Sequence, residues 1–311
     1  MREKQASSEL FFKTGVEILI GMCYDNMTDH MKGGTGMDFS WLQGLLYGLI
    51  SGYTEFLPVS AETHRMLYLH LSGITPEPTV LRLCVRLFAL LGLILACRDV
   101  LGRLRREQRL AAIPPRRRRR KPDQACMMEL RLAKTAALAS AVGLLFYSRF
   151  KLYTDILWFH GVILVLNGIL LYIPQFVLRG NKDARAMSSL DGVIIGIAGA
   201  LSVIPGFSRM AAIVSVSRIR GADKRFGVEL ALLLYIPMLA VLSLLDFVEL
   251  ISVQSQISFS VCAAASVAAL VGSWLGVKMI RYFGRKPGFT AFAYHSWGAA
   301  LLMLILYLTI I

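Results

Sequence analysis

The stretch Gly48-Leu-Ile-Ser-Gly-Tyr-Thr-Glu-Phe-Leu-Pro58-Val-Ser60 decides the fold, because it predicts an apolar helix that breaks at a proline. A second stretch with the same design is Gly196-Ile-Ala-Gly-Ala-Leu-Ser-Val-Ile-Pro205-Gly-Phe-Ser208. Aligning Pro58 with Pro205 relates the two stretches by an offset of 147 residues. Glycine- and proline-interrupted segments at matching positions of two halves indicate a binding site near the midplane of a membrane.

The rest of the composition is that of a membrane protein. Of the 311 residues, 56% are hydrophobic and only 17% are charged, and the mean hydropathy is +0.58. The apolar residues form continuous blocks of roughly 17 to 23 residues, long enough to cross about 30 Å of hydrocarbon as helices. This excludes a secreted disulfide scaffold, a disordered chain and an ordinary cytosolic enzyme. The blocks do not alternate as barrel strands do, so an all-α polytopic membrane protein is predicted.

The order of the blocks predicts an inverted repeat. Each broken stretch is followed by three ordinary apolar blocks, which defines repeat one at about 39–178 and repeat two at about 188–311. A broken, re-entrant helix pair adds no crossing, so three spanning helices per repeat turn the second repeat upside down relative to the first. The blocks fall at about 41–58, 79–97, 131–147, 156–178, 190–207, 226–248, 257–277 and 289–311. The alternative is two kinked spanning helices that form no site.

Loop charge predicts the orientation. Three loops, 98–130, 179–187 and 278–288, are basic, and cytoplasmic loops carry an excess of lysine and arginine. With these loops in the cytoplasm, both termini lie outside, six helices span fully, and the two broken tips meet near the bilayer centre. The net charge of +14 depends largely on residues 98–121, which hold eleven of the basic residues. A cytoplasmic loop is expected here, so no nucleic-acid partner is predicted. A site for nucleic acid or anionic lipid is the minor alternative.

The first 36 residues differ from the rest, being polar apart from one short apolar patch. The run Lys32-Gly33-Gly34-Thr35-Gly36-Met37 is compatible with a purine-rich ribosome-binding sequence just upstream of a methionine codon. We therefore expect translation to start at Met37, so that 1–36 is an extension outside the membrane domain of 37–311. The alternative is a genuine disordered tail.

The first break carries Glu55, Ser60 and His64 within ten residues. A carboxylate, a hydroxyl and an imidazole inside a membrane segment are costly unless they are paired or used. Arg82 and Arg86 lie one helical turn apart near the start of the next block. They are either snorkelling anchors at the membrane surface or a clamp for an anion.

The second break carries Ser202, Ser208 and Arg209 around the Pro205-Gly206 turn. A turn that opens a helix offers free N–H groups and the positive end of the helix dipole, and the arginine adds a fixed guanidinium. This combination suits a phosphate group.

These motifs resemble a known family. Thr54-Glu-Phe-Leu-Pro-Val-Ser60, with His64 after it, is similar to the first signature of the bacterial undecaprenyl-diphosphate phosphatases, the bacitracin-resistance family. Pro205-Gly-Phe-Ser-Arg209 is similar to the second signature, and the resemblance runs from about Phe39 to the C-terminus. It implies an enzyme of the bacterial plasma membrane that removes one phosphate from a polyprenyl diphosphate. The lipid carrier then returns to cell-wall synthesis.

The resemblance also implies a divalent metal and a site lined by Glu55, Ser60, His64, Ser208 and Arg209. The chemistry of the residues at the two breaks then suggests their roles, with Mg²⁺ or Ca²⁺ as the metal. Glu55 is expected to hold the metal, and His64 to act as nucleophile or general base. Ser60 orients oxygens in this scheme. The expected substrate contacts are Ser202, Gly206, Ser208, Arg209 and Arg86. A polyprenyl-phosphate transporter or flippase and a catalytically inactive lipid-diphosphate binder are the alternatives, and an oligomer is left open.

The chain departs from the family pattern at several positions, so we interpret it as a divergent member. Ser51 stands where the family usually has a second glutamate, and Ala61 where it has a second serine. Glu62 replaces a threonine of the family, and it restores the missing carboxylate only if the turn folds it inward. Because alanine has no hydroxyl, a serine nucleophile at position 61 is excluded. His64, three residues on, is expected to share a helix face with position 61 and to carry the chemistry.

Overall fold

The structure is a computed structural model that describes residues 39–74, 76–177, 180–252, 257–286 and 288–310. The hypotheses on residues 1–36 and on a start at Met37 lie outside these ranges. The described residues form twelve α-helices and no strand. The helices are α1 (Trp41–Glu55), α2 (Ala61–Leu71), α3 (Thr79–Ala96), α4 (Arg98–Ala112), α5 (Gln124–Ala141), α6 (Tyr147–Phe150), α7 (Leu157–Tyr172), α8 (Ser189–Ala200), α9 (Arg209–Ile219), α10 (Lys224–Ser252), α11 (Phe259–Gly284) and α12 (Thr290–Ile310). Short 3-10 turns include Val142–Phe146, Lys151–Tyr153 and Leu201–Val203.

The first predicted break is present between α1 and α2. Helix α1 ends at Glu55, and Pro58 follows in a non-helical run because it lacks a backbone N–H and forces the preceding residue out of the helical region. Helix α2 then starts after Ser60, whose side chain accepts a hydrogen bond of 3.2 Å from the backbone N–H of Thr63. The proline ends one helix and the serine begins the next.

The second break, between α8 and α9, has the same local structure. Ser208 caps α9 by accepting a hydrogen bond of 3.3 Å from the N–H of Ala211. Gly206 has a φ of +86°, a left-handed conformation that glycine adopts at no steric cost. Helices α2 and α9 both have 11 residues and both start directly after a capping serine. The sequence repeat is therefore also a repeat of local structure.

The two halves pack against each other reciprocally. Helix α1 of the first half packs along α11 of the second, and α8 of the second half packs along α5 of the first. The third long helices of the two halves, α7 and α12, also pack together. Glycines allow this close approach, since a Cβ on Gly52 would meet the backbone of Ala269, and one on Gly196 the backbone of Ala136. This exchange is the pattern that a two-fold repeat produces, while the inverted orientation of the halves stays a prediction.

Five of the described helices are long and apolar enough to cross a membrane, namely α3, α7, α10, α11 and α12. The structure thus has the all-α, multi-pass architecture that the sequence predicts. The apolar block 131–147, which was predicted to be a sixth full span, is not among these five helices. Helix α5 covers only part of that block and carries Glu129, Arg131 and Lys134. These charges remove it from the set of long apolar helices.

The loops that were predicted to share a side of the membrane lie at the same end of the bundle. At one end, the ammonium of Lys151 forms an ion pair of 2.6 Å with Glu249. At the other end, Arg281 donates a hydrogen bond of 2.8 Å to the carbonyl of Ala96. The grouping of loops agrees with the predicted topology. Which end faces the cytoplasm stays a prediction.

The basic segment 98–130 is folded rather than an irregular loop. Leu104 of α4 packs with Cys126 of α5 and Leu233 of α10. Glu107 accepts hydrogen bonds from the guanidinium of Arg120 and from the backbone N–H of Asp123, the latter at 2.9 Å. These bonds favour the charged carboxylate and lower the pKa of Glu107 to about 2. We refer to α4 and the following residues to Asp123 as the basic hairpin.

Candidate functional site

The two breaks touch each other inside the bundle. Ser208 donates a hydrogen bond of 3.5 Å from its hydroxyl to the carbonyl of Leu57. The backbone N–H of Ser208 is also held, at 3.2 Å, by the side-chain oxygen of Asn167 on α7. The two sequence signatures, which are far apart along the chain, therefore contact each other directly through Ser208.

A cavity of about 410 Å³ lies where the breaks meet. From the two breaks and the helices that follow them, it is lined by Glu55, Val59, Ala61, Glu62, Arg65, Ser202, Val203, Pro205, Phe207, Ser208 and Arg209. The other polar lining residues are Glu77, Arg82, Arg86, Ser140, Tyr147, Lys151, Thr154, Asp155 and Tyr235. Most of the charged groups of the cavity come from the first half of the chain.

One wall of the cavity is apolar and faces outward. Leu138 and Leu144 line it from the first half of the chain, and Met238, Val241 and Leu242 line it from α10. The side chain of Leu138 is 74% exposed at the surface of the bundle, which in a membrane protein is the surface that meets lipid. A ligand with a charged head and an apolar tail therefore fits both parts of the cavity.

Glu55 and Arg209 form the centre of the polar part. Glu55 accepts from Arg209 at 3.1 Å with one carboxylate oxygen and from Arg65 at 3.4 Å with the other. Arg209 also donates from Nε to the hydroxyl of Ser202 at 3.0 Å. Its guanidinium lies 5.1 Å from the centroid of the Tyr235 ring, a cation–π contact. The Arg209 guanidinium is thus oriented by an anion, a hydroxyl and an aromatic face.

A chain of ion pairs continues from Glu55 along the cavity wall. Arg65 contacts Glu77 at 3.3 Å, and Glu77 contacts Arg82 at 3.6 Å. Arg82 contacts Asp246 of α10 at 3.1 Å, and Arg86 pairs with the other oxygen of the same carboxylate. The side chain of Asp246 is fully buried, and a buried charge needs such partners. Arg86 is therefore held inside the bundle, and the snorkelling-anchor interpretation is wrong.

The three serines predicted for the site have different positions. Ser202 and Ser208 line the cavity. Ser60 is not among the lining residues, because its buried hydroxyl faces Thr63, whose side chain lies at 2.9 Å. Gly206 does not line the cavity either, and a Cβ there would lie 3.2 Å from the backbone of His160. Ser60 and Gly206 therefore position the breaks and do not contact a ligand in the cavity.

The placement of His64 in the cavity was wrong. Its Nδ1 lies 2.6 Å from the carbonyl of Ser60, and its Nε2 lies 3.1 Å from Nε2 of His295 on α12. The two imidazole rings stack at 5.3 Å, beside a separate apolar groove. The reason is helical phase. Successive residues turn by about 100°, so His64 lies on the opposite side of α2 from Glu62, which faces the cavity.

Several cavity residues were missed in the analysis of the sequence. Glu77 lies in the loop before α3, and only the fold brings it to Arg65. The pairing of Arg82 with Asp246 had a usable signal, since each is a charge inside an apolar block. Such charges usually pair with one another across the bundle.

The cavity offers few side chains that could hold a metal ion. Within the ranges that the structure describes, there is no cluster of three or more His, Cys, Asp or Glu side chains suited to a metal ion. Both carboxylate oxygens of Glu55 face guanidinium groups. Mg²⁺ is commonly bound by one or two carboxylates together with substrate phosphates. The residues therefore fit a metal only in the presence of a phosphate ligand.

Comparison with known proteins agrees with the motifs. The family model described as bacitracin resistance protein BacA matches residues 44–302. Undecaprenyl-diphosphatase 1 of Shouchella clausii is 28% identical over 271 residues, covering 86% of this chain and 96% of that protein. Undecaprenyl-diphosphatases of Halothermothrix orenii and Neisseria gonorrhoeae are 24% and 25% identical, and alignments to them cover 84% and 86% of this chain and 96% of each relative. The chain belongs to the family of the bacitracin resistance protein BacA.

Proposed function

We propose that the chain is a phosphatase that removes the terminal phosphate of a polyprenyl diphosphate in the bacterial plasma membrane. The observation that carries this proposal is the cavity itself. Its polar part holds Arg209 and the capping residue Ser208, and its apolar wall faces the lipid surface of the bundle. Relatives over most of the chain are named undecaprenyl-diphosphatases. The products are inorganic phosphate and a prenyl monophosphate, the carrier form used in cell-wall synthesis.

The residues of the second break suit binding of the diphosphate. Helix α9 starts at the cavity, and the first backbone N–H groups of a helix attract anions. Arg209 lies at the same helix start, and its planar guanidinium binds two phosphate oxygens side by side. Phosphoryl transfer depends mainly on such positioning and charge stabilisation. On binding, substrate phosphate would replace Glu55 as the partner of Arg209.

A divalent metal, Mg²⁺ or Ca²⁺, is part of the proposal. Glu55 would hold it together with phosphate oxygens of the substrate. When bound, the metal would neutralise charge on the diphosphate. The release of Glu55 from Arg209 by substrate would free one carboxylate oxygen for this purpose.

The proposal includes an orientation. Lys151, Asp155 and Glu77 of the cavity lie at the end of the bundle away from the basic hairpin. Because cytoplasmic loops carry the excess of basic residues, the cavity would lie towards the outer face of the membrane. Phosphate would then be released outside the cell, and both termini would lie outside.

Phosphate release by the purified full-length chain tests the function. The protein in detergent is given undecaprenyl diphosphate, and free phosphate and undecaprenyl monophosphate are measured over many turnovers. We expect equal amounts of the two products. Absence of hydrolysis, with lipid diphosphate bound, would favour the inactive binder. Movement of the lipid across proteoliposomes without phosphate release would favour the transporter.

A further inference from the structure

Hydrolysis of a phosphoanhydride by water requires a group that accepts the proton of the water molecule. The hydroxyls and the imidazole near the breaks are unsuited to this task. Ala61 has no hydroxyl. The hydroxyl of Ser60 is buried against Thr63, and His64 faces away from the cavity. Ser208 uses its hydroxyl to cap α9 and to reach Leu57.

The carboxylates of the cavity fall into two groups. Glu55 and Glu77 each form ion pairs with two arginines. A carboxylate held in this way is a poor proton acceptor, because its charged form is stabilised. Glu62 and Asp155 also line the cavity. Neither of them forms an ion pair or a side-chain hydrogen bond with any part of the chain that the structure describes.

Glu62 is the better placed of these two free carboxylates. It lies in the first turn of α2, directly after the break, and one helical turn before Arg65, which contacts Glu55. Its side chain is half-buried in a helix that starts at the break, whereas Asp155 lies in the turn before α7. An acidic residue in a first turn also stabilises the helix through its interaction with the helix dipole. That role does not require a side chain that faces the cavity, as Glu62 does.

We propose that Glu62 is the general base that activates water. This proposal rests on the proposed phosphatase function. A lone pair of the water oxygen forms a bond to the terminal phosphorus. The bond from that phosphorus to the bridging oxygen breaks, and its electron pair stays on the prenyl monophosphate. The proton of the water passes to the Glu62 carboxylate and then to solvent. Glu62 thus provides the reactive group that Ala61 lacks, because the family pattern has a serine at position 61.

The experiment compares two isosteric variants of the same cavity, Glu62→Gln and Asp155→Asn, in single-turnover phosphate release across pH. The other ionisable groups that line the cavity are Glu55, Arg65, Glu77, Arg82, Arg86, Tyr147, Lys151, Asp155, Arg209 and Tyr235. Both variants remove one negative charge, so they are matched in their effect on substrate attraction. Binding of a methylene-bridged prenyl bisphosphonate, which is not hydrolysed, is measured in parallel to show that each variant is folded.

We expect Glu62→Gln to lower the single-turnover rate by about 100-fold or more, the usual contribution of a general base. Binding of the bisphosphonate should change by less than about threefold, and Asp155→Asn should lose much less of the rate than Glu62→Gln. The rate of Glu62→Gln should rise with pH as hydroxide replaces the base. In Glu62→Ala, added formate should restore part of the rate, because a small carboxylate fits the space that the side chain leaves.

Three outcomes would overturn the proposal, and they distinguish a failure of Glu62 as the base from a failure of the phosphatase function. An active parent with a near-normal Glu62→Gln overturns the base and leaves the phosphatase intact. Loss of the rate in Asp155→Asn, with Glu62→Gln active, overturns it in favour of Asp155. An inert parent overturns both proposals. Formate rescue confined to Glu62→Ala supports the base directly, since a purely structural glutamate would give none.

Discussion

Individual charges in the cavity are arranged so that each buried arginine has at least one carboxylate partner. Glu55 is shared between the two breaks, because Arg65 follows the first and Arg209 follows the second. Breaking a buried pair by removing one partner is strongly destabilising, at about 3–5 kcal/mol. Conservative replacements that retain charge or shape are therefore the informative ones at this site.

The first prediction concerns the guanidinium of Arg209. In Arg209→Lys the charge stays, but one ammonium cannot contact Ser202 and bind two phosphate oxygens in the same planar geometry. We expect the turnover of undecaprenyl diphosphate to fall by about 100- to 1,000-fold, the range for a lost stabilising donor. Arg105→Lys, in the exposed basic hairpin, is the matched control. Turnover of Arg209→Lys close to that of the control would remove Arg209 from the site.

The second prediction concerns Glu55 and the proposed metal. Glu55→Gln keeps the shape of the side chain and removes its charge, so we expect activity to fall by at least about 100-fold. A chelator should inactivate the parent protein to the same extent, and added Mg²⁺ or Ca²⁺ should restore it. Hydrolysis that resists the chelator would contradict the metal role. Glu55 would then serve only to orient Arg65 and Arg209.

Many of the individual site residues could be predicted from the sequence. Polar residues at the two proline breaks, such as Glu55 and Arg209, were brought together from the repeat alone. The sequence did not show which side chains of α2 face the cavity. One step along a helix turns a side chain by about 100°, so a small error in helical phase moves a residue to another face. His64 was therefore placed in the cavity, and Glu62 was given a smaller role. The partners Glu77 and Asp246 depend on contacts between distant segments.

At the scale of single helices, the phase of α2 separates cavity residues from packing residues. Glu62 and Arg65 face the cavity, and His64 faces His295 on α12. We expect His64→Ala to keep turnover within about threefold of the parent while lowering the thermal unfolding temperature, because its role is in packing. Measured turnover and unfolding of the same preparation test this. A folded but inactive His64→Ala would restore the histidine as a catalytic residue.

The stability of the basic hairpin depends on the charge of the Glu107 carboxylate. Hydrogen bonds from Arg120 and Asp123 lower the pKa of Glu107 to about 2, below the usual value of about 4.3. A lowered folded-state pKa contributes stability above the unfolded-state value, and this is lost as the pH falls through the folded-state value. The hairpin should therefore loosen progressively as the pH falls from about 4.5 to 2.

Amide hydrogen exchange of the detergent-solubilised protein measures this loosening. The amides of residues 107–123 should lose protection across the acid window, while those of α10 keep theirs. Glu107→Gln removes the titrating group and should show the loosened hairpin already at neutral pH. Equal protection of the hairpin in parent and variant at all pH values would contradict the role of Glu107.

For the whole molecule, the question is which end of the bundle faces the cytoplasm. The fold groups Lys151 and Glu249 at one end and Arg281 at the other, as the loop charges predicted. The inversion of the repeats was inferred from the number of spanning helices in each repeat, and the position of the outer face was inferred from loop charge. No contact within the chain distinguishes the two sides of a membrane, which is why the orientation needs a direct measurement.

Labelling of single cysteines in intact bacterial cells provides that measurement. Arg149→Cys lies at the cavity end and Lys286→Cys at the basic end, and both positions are exposed. Each is introduced into a chain from which the native cysteines have been removed and which still turns over substrate. Because the basic end is expected in the cytoplasm, a membrane-impermeant maleimide should label Arg149→Cys in intact cells. It should label Lys286→Cys only after the cells are permeabilised. The reverse pattern would place the cavity on the cytoplasmic side and phosphate release inside the cell, and labelling of both sites in intact cells would refute a single orientation.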